Sequence, residues 1–451
     1  MIDLIQHLKT IPWVLLGIFF FLIILLIFVS EQGYRRNILK PNTSRKIIHS
    51  LVGVAVSLSP FIFISNIQPL ILAVIFLIVN LFSYKNNKLK SFHNLHRKTL
   101  GTIFFPLAFI FIAVFFWEYK NIIACSFMVL AFSDPLSSLI GENLKKTHKY
   151  NIEVDLKSYE GSAVMFLSTF IILSLFSNSI FYQFSSINTF FSILLCSIAI
   201  TLAEAMSIRG SDNLTIPLTA FFFIEMLNNI NEKQLIIEYS VITLAITVLI
   251  FYFYKKNHLS LSGFFSSSLM AVLILGFGGP KYVLPIAMFF TLSTFLSKIG
   301  PKNLQKSKSG RTTHQVLANG GVGLILCITN HYYQEEILFY MFLASIAAAN
   351  SDTWATEIGK LSKTKPKDII SGRILMHGES GGITNVGLTG SIAGSAIIAI
   401  LGFFLKFNFS IIMLIFISGF LGSLLDSILG STLQRRFISR NGKTITETNS
   451  K

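Results

Sequence analysis

Residues 131–144 read AFSDPLSSLIGENL, closing a long apolar run with an aspartate, a proline and a glycine. Ionisable side chains at membrane depth are costly, so they usually serve a function. A second stretch, AANSDTWATEIGKLS at 348–362, ends another apolar run in the same way. In each, an aspartate precedes a glycine by seven residues (Asp134 to Gly141, Asp352 to Gly359), with Ser138 or Thr356 at offset four. Offsets 0, 4 and 7 share one helical face. Pro135 disfavours helix at the preceding residue and suits a first helical turn. The spacing therefore predicts that one helix ends at Asp134 and another begins at Pro135.

The surrounding chain is 451 residues long, 52% apolar and 13% charged. Soluble domains carry about 25% charged residues. Fifteen apolar segments recur, at 11–29, 47–64, 69–84, 101–117, 121–140, 163–182, 189–206, 214–228, 235–254, 260–278, 281–298, 313–330, 336–350, 382–404 and 410–429. They predict an all-α polytopic membrane protein with about fifteen transmembrane helices, the first an uncleaved span followed by Arg35 and Arg36. With the N-terminus outside, alternate loops, counted with Lys298 at the end of its segment, collect every Lys and Arg except Lys9, Lys120, Lys233, Lys281 and Lys406. That bias predicts a multi-pass protein of the cell membrane, expected to be a bacterial inner membrane, with a cytoplasmic C-terminus. It also accounts for the net charge of +16 without a nucleic-acid partner. Cys125, Cys196 and Cys327 lie inside apolar runs, with no metal-binding spacing and no disulfide framework.

The two Asp-Gly stretches belong to longer units. Glu160-Gly161-Ser162 follows Asp134 by 26 residues, and Glu379-Ser380-Gly381-Gly382 follows Asp352 by 27. Glu204 lies 70 residues past Asp134, and Asp426 lies 74 past Asp352. Spans two to seven thus pair with spans ten to fifteen, as two tandem six-helix units in parallel orientation joined by two connector helices. The expected organisation is an anchor and basic loop (1–44), a first unit (45–230), a connector (231–258), a second unit (259–437) and a tail (438–451).

These residue types suit phosphate chemistry. Gly141, Gly161, Gly359, Gly381 and Gly382 allow close backbone approach to phosphate oxygens. Arg97, Lys98 and Lys157 in the first unit, and Arg311 and Arg373 in the second, can neutralise phosphate charge. Asp134, Glu160 and Glu204, with Asp352 and Asp426, are candidate ligands of Mg²⁺, which needs few carboxylates beside substrate phosphates. His49, in RKIIH, has no counterpart in the second unit. That asymmetry suits an alcohol acceptor, which must lose a proton, in one unit, and a phosphate acceptor, already anionic, in the other.

RKIIH (45–49), SDPLSSLIG, KSYEGS and DNLTIP resemble the dolichol kinase and phytol kinase family over roughly 45–230. GRTTHQVLANGG (310–321), NSDTWATEIGKLS (350–362), ESGGITNVG (379–387) and GSLLDSILGSTLQ (422–434) resemble the integral membrane family containing phytyl-phosphate kinase, over roughly 259–437; Glu379 stands where that pattern has Thr. The resemblance implies CTP or another nucleoside triphosphate, an isoprenoid alcohol and its monophosphate as substrates, and the lipid bilayer as the setting. Within these motifs His49, Asp134 and Asp352 are the expected catalytic residues. Arg45, Ser162, Gln315 and Asn319 join the phosphate-binding set, and Asp212 and Glu357 the metal set. The chain thus looks like a fusion of two steps, alcohol to monophosphate and monophosphate to diphosphate. A CTP-dependent lipid cytidylyltransferase and a tandem-repeat transporter are the alternatives. Diphosphate release would mark the first, and flux without nucleotide the second.

Overall fold

The computed structural model describes residues 12–36, 41–86, 100–144, 146–153, 155–232, 235–297, 310–376, 379–434, 437–438 and 445–446. Each of the fifteen apolar segments is helical. The chain is an all-α membrane protein. It divides into two compact units, Met1–Ala245 and Ile246–Lys451, and the division falls inside a helix.

The first unit contains α1 (Pro12–Arg35), α2 (Pro41–Ile62), α3 (Ile67–Asn86), α4 (Gly101–Phe115), α5 (Lys120–Asn143), α6 (Tyr159–Ile180), α7 (Ser186–Met206), α8 (Asp212–Glu232) and the start of α9 (Ile236–Lys255). Between α5 and α6, β1 (Lys149–Ile152) and β2 (Asp155–Ser158) form a small antiparallel hairpin. The core helix is α5, apolar on every side; Ile123, Cys125, Phe127, Val129, Leu130 and Ala131 have essentially no exposed surface. It packs against α2, α6 and α8. A Cβ on Gly53 would stand 2.7 Å from that of Ala131, so the glycine lets α2 and α5 approach closely.

The expected break at Pro135 is absent, and α5 runs unbroken through it from Lys120 to Asn143. Packing on three sides holds the helix, and Ser137 Oγ turns back to donate to the Asp134 carbonyl at 2.9 Å. Membrane helices tolerate such prolines because side chains and neighbouring helices compensate locally. In α2 the device is direct. Pro60 has no N–H to offer the Val56 carbonyl, and Ser59 Oγ donates to it at 2.7 Å.

The second unit contains α10 (Leu261–Gly278), α11 (Pro280–Leu296), α12 (Thr313–Tyr333), α13 (Glu336–Gly359), α14 (Asn385–Ala399), the short α15 (Leu401–Phe404) and α16 (Phe409–Thr432). Its core helix is α13, packed against α12, α14 and α16, with Phe342, Leu343, Ile346 and Ala347 fully buried. Two two-residue strands, β3 (Lys367–Asp368) and β4 (Gly382–Ile383), pair beside the end of α16. A further pair, β5 (Phe437–Ile438) and β6 (Ile445–Thr446), follows it.

Among the described residues, nine helices are long and apolar enough to cross a membrane, and α4, α11 and residues 12–26 of α1 are shorter apolar helices. The expected fifteen spans are therefore not equally lipid-like. Helices α8, α12 and α13 fall outside both sets, since each carries polar or ionisable residues along its length.

Candidate functional site

One end of the first unit gathers most of the expected residues. His49 on α2 brings Nε2 to 3.7 Å from Asp134 Oδ2 and 3.2 Å from the Leu130 carbonyl, both on α5. Both neighbours accept, so Nε2 carries a proton, and Nδ1 is the free nitrogen of the neutral ring. Beside them, Lys157 on β2 reaches Glu204 at the end of α7, with Nζ 2.5 Å from Oε1 and a second contact to the Glu204 carbonyl. Burial alone would lower the Lys157 pKa, but Glu204 and Asp212 outweigh it and raise it, so the ammonium stays charged. Lys46 pairs with Glu142 at 2.9 Å, and the Arg209 N–H donates to Asp155 Oδ2 at 2.7 Å.

These groups line a polar cavity of about 440 Å³ whose walls include Arg45, His49, Asp134, Lys157, Glu204 and Asp212. Two further cavities share lining residues with it. A larger polar one, of about 740 Å³, shares Glu142, Leu156, Lys157 and Glu204, and adds Gly141, Gly161, Ser162, Lys146 and Lys149. An apolar one, of about 370 Å³, shares Arg45, His49 and Asn213, and runs among α1, α2, α3 and α4. At the junction, Asn213 is 7% exposed, and its Oδ1 has no hydrogen-bond partner among the described residues. Sequence reasoning passed over Asn213 as one letter of DNLTIP; its position beside Asp212 was the available signal.

Gly141 and Gly161 serve packing as well as lining. A Cβ on Gly141 would stand 2.7 Å from Ser158 Oγ and 3.6 Å from the Gly161 Cα, so α5 and α6 cross there backbone to backbone. Ser158 caps α6 by accepting from the Gly161 N–H at 3.1 Å. The second unit builds the same crossing. A Cβ on Gly359 would lie 3.5 Å from the Gly387 Cα, and Thr384 accepts from the Gly387 N–H at 2.9 Å. The counterpart of Gly161 is therefore Gly387, which corrects the expected pairing with Gly381 and Gly382. Gly381 has φ +83° against Ser431, and Gly382 is in β4. Both serve the loop that anchors α16.

Glu160, expected as a metal ligand, turns away from the cavity. It accepts from the His148 backbone N–H at 2.9 Å and lies 2.8 Å from His148 Nδ1, because its place in the first turn of α6 faces the β-hairpin. Ser162 shares a hydrogen bond with Tyr150 at 2.7 Å. Arg97 and Lys98 lie outside the described residues.

In the second unit Asp352 is half-buried on α13. A Cβ on Gly422 of α16 would lie 2.7 Å from that of Ala348; one turn beyond this contact, on the same faces, lie Asp352 and Asp426. Glu357 holds Lys360 at 2.6 Å. Burial lowers the Arg311 pKa, while Glu357 opposes the shift, and the guanidinium lies over Phe289 and Phe290, 5.7 and 5.2 Å from their centroids. Gln315 caps α12 by accepting from the Thr312 N–H at 3.0 Å, and Asn319 is one turn further along. Arg373 is exposed on the 368–373 turn.

Among the described residues no three of His, Cys, Asp and Glu stand close enough to hold a metal by themselves. Asp134, Asp212 and Glu204 nevertheless line one cavity beside the cations Arg45, Lys46, Lys157 and Arg209. That donor set fits Mg²⁺, which takes one or two carboxylates and completes its shell with water and phosphate oxygens.

Residues 244–451 match the sequence pattern of the integral membrane protein family DUF92. An uncharacterized membrane protein of Methanocaldococcus jannaschii is 30% identical over 216 residues, 47% of this chain and 90% of the relative. The phytol kinase of Synechocystis is 27% identical over 214 residues, 46% of this chain and 88% of the relative. Phytol kinase 1, chloroplastic, of Arabidopsis thaliana is 27% identical over 216 residues, 43% of this chain and 69% of the relative. No solved structure matches the chain. Through residues 244–451 the chain belongs to the integral membrane protein family DUF92.

Proposed function

We propose that this protein is a membrane isoprenoid kinase. Its first unit phosphorylates a prenyl alcohol, and its second converts the monophosphate to the diphosphate, both with CTP or another nucleoside triphosphate at the cytoplasmic face. The observation that carries this reading is that the polar cavity lined by His49, Asp134 and Lys157 shares His49 with the apolar cavity on one side and Lys157 with the larger polar cavity on the other. An apolar slot, a charged junction and a larger polar hollow suit a lipid tail, a transferring phosphoryl group and a nucleotide. The relatives named phytol kinase support the same chemical class.

In the first step the alcohol oxygen attacks the γ-phosphorus, the bond to the bridging oxygen breaks, and the nucleoside diphosphate leaves with that electron pair. The hydroxyl proton passes to Asp134, beside which His49 stands with Nε2 at 3.7 Å. Asn213, buried at the mouth of the apolar cavity and with no partner for its Oδ1 among the described residues, helps to orient the alcohol before its proton is passed on. Lys157 and Arg45 balance the phosphate charge, since such catalysis is mostly positioning and charge neutralisation. Asp212 and Glu204 would hold Mg²⁺, which would supply further charge neutralisation. In the second unit the acceptor is already anionic; Arg311 offsets its charge, and Asp352 and Asp426 would take the metal.

The test incubates the protein in vesicles with labelled CTP or ATP and farnesol, geranylgeraniol or phytol, and resolves the lipid products. Expected are the mono- and diphosphate, release of the nucleoside diphosphate, and loss of both products in chelator with recovery on adding Mg²⁺. Asp352→Asn should let monophosphate accumulate. Release of inorganic diphosphate would instead identify a cytidylyltransferase.

A further inference from the structure

The apolar cavity is ordered along its length. On α2 its lining runs from His49 at the charged junction to Phe63 just past the helix end. On α3 it runs the opposite way, from Ser83 and Asn80 to Leu72 and Pro69. On α4 it runs from Gly101 to Phe109. All the polar lining except Ser59 gathers at the junction end, and the far end is closed by aromatic rings. Phe63 is 2% exposed and meets Phe19 of α1 edge-to-face, with centroids 5.2 Å apart. Phe109 is 3% exposed. Polar ties fasten the backbone below this floor: Trp117 Nε1 donates to the Ile64 carbonyl at 3.2 Å, and Asn66 Nδ2 donates to the Ala113 carbonyl at 2.8 Å.

We propose that the Phe19–Phe63 pair is a molecular ruler that sets the longest isoprenoid tail the first unit accepts. This rests on the kinase reading above. His49 and Phe63 are 14 residues apart, about 21 Å along a helix at 1.5 Å per residue. An isoprene unit adds four chain bonds of about 1.5 Å each, an advance of about 5 Å when extended. A tail of about four units fills the slot from junction to floor. A longer tail must displace two packed rings whose neighbours are tied in place.

The experiment measures kcat/KM of the full chain in vesicles against prenols of two to eight isoprene units. Wild type should lose activity by about tenfold or more beyond the length that reaches the floor, since misfit in an apolar pocket discriminates by that order. Phe63→Ala and Phe19→Ala should move the cut-off to longer prenols, read within each variant as a rise in the ratio of kcat/KM for long over short prenols. Ala73→Phe, which places bulk into the slot from α3 without opening the floor, should move it to shorter ones; it also keeps the ruler testable should the alanine variants fail to fold. An unchanged length profile in every folded variant, or a wild type with no cut-off, overturns the ruler and leaves the kinase reading intact. A wild type that phosphorylates no prenol of any length overturns both.

Discussion

His49 Nε2 lies 3.7 Å from Asp134 Oδ2 and 3.2 Å from the carbonyl of Leu130, one turn earlier on α5. The ring is thus committed as a donor toward α5, and Asp134 remains the group able to take a proton. Asp134→Asn is expected to lower prenol phosphorylation at least a hundredfold, the lower range for a general base. His49→Ala should cost less, and His49→Gln, whose amide can still donate, less again. Initial rates with labelled nucleotide decide this; an His49→Ala defect equal to that of Asp134→Asn would assign the proton to His49 instead.

Lys157 and Glu204 form a largely buried pair, their side chains 14% and 12% exposed. Lys157→Met leaves the Glu204 carboxylate without its cation, at a cost of roughly 3–5 kcal/mol. The pH dependence has a definite sign. Because the folded pKa of Lys157 is raised above the ordinary value of about 10.4, its stabilisation is complete below about pH 10.4 and is lost as pH rises through the folded value. Melting curves should show this alkaline loss in wild type and not in Lys157→Met. Cys125, Cys196 and Cys327 are free and buried, so a thiol-reactive fluorophore reports the unfolding.

Asp368, 5% exposed, ties the turn after α13 to the end of α16. It accepts from the Ser371 N–H at 2.8 Å, the Ile370 N–H at 3.1 Å, Ser371 Oγ at 2.9 Å and Ser431 Oγ at 2.8 Å. Those donors, the Ser371 N–H foremost, hold its pKa well below the ordinary carboxylate range. Its stabilisation is therefore present above about pH 3.9 and is lost as pH falls through the folded value. Asp368→Asn should lower the melting temperature at neutral pH and converge with wild type in strong acid.

The two glycine crossings make a paired prediction. A Cβ at Gly161 would sit 3.1 Å from the Ser137 carbonyl, and one at Gly387 would sit 3.1 Å from the Ala355 carbonyl. Valine at either position should destabilise its own unit by about 1–3 kcal/mol, the usual cost of overpacking. Removing the caps, Ser158→Ala or Thr384→Ala, should cost about 1 kcal/mol each. Equal stability of Gly387→Val and wild type would mean that α13 and α14 do not cross as closely as described.

The sequence by itself determined that this is an all-helical membrane protein and where its apolar helical segments lie. Hydropathy is a sum over neighbouring residues, so a short window suffices to read it. It also marked Asp134 and Asp352 as carboxylates closing apolar runs, visible in one line of letters, although each lies inside an unbroken helix, α5 or α13. What only the tertiary structure decided depends on residues far apart in the chain. Local propensity broke the helix at Pro135; packing of α5 against α2, α6 and α8 keeps it whole. Motif order gave Glu160 to a metal, whereas the β-hairpin folds His148 onto it. The pairing of Lys46 with Glu142 joins residues 96 positions apart, and Lys157 with Glu204 residues 47 apart. No local pattern encodes such meetings. They arise when apolar faces pack and the polar ends of several helices are drawn into one cavity, which is also how Asn213, beside Asp212 in the chain, comes to line both the polar and the apolar cavity.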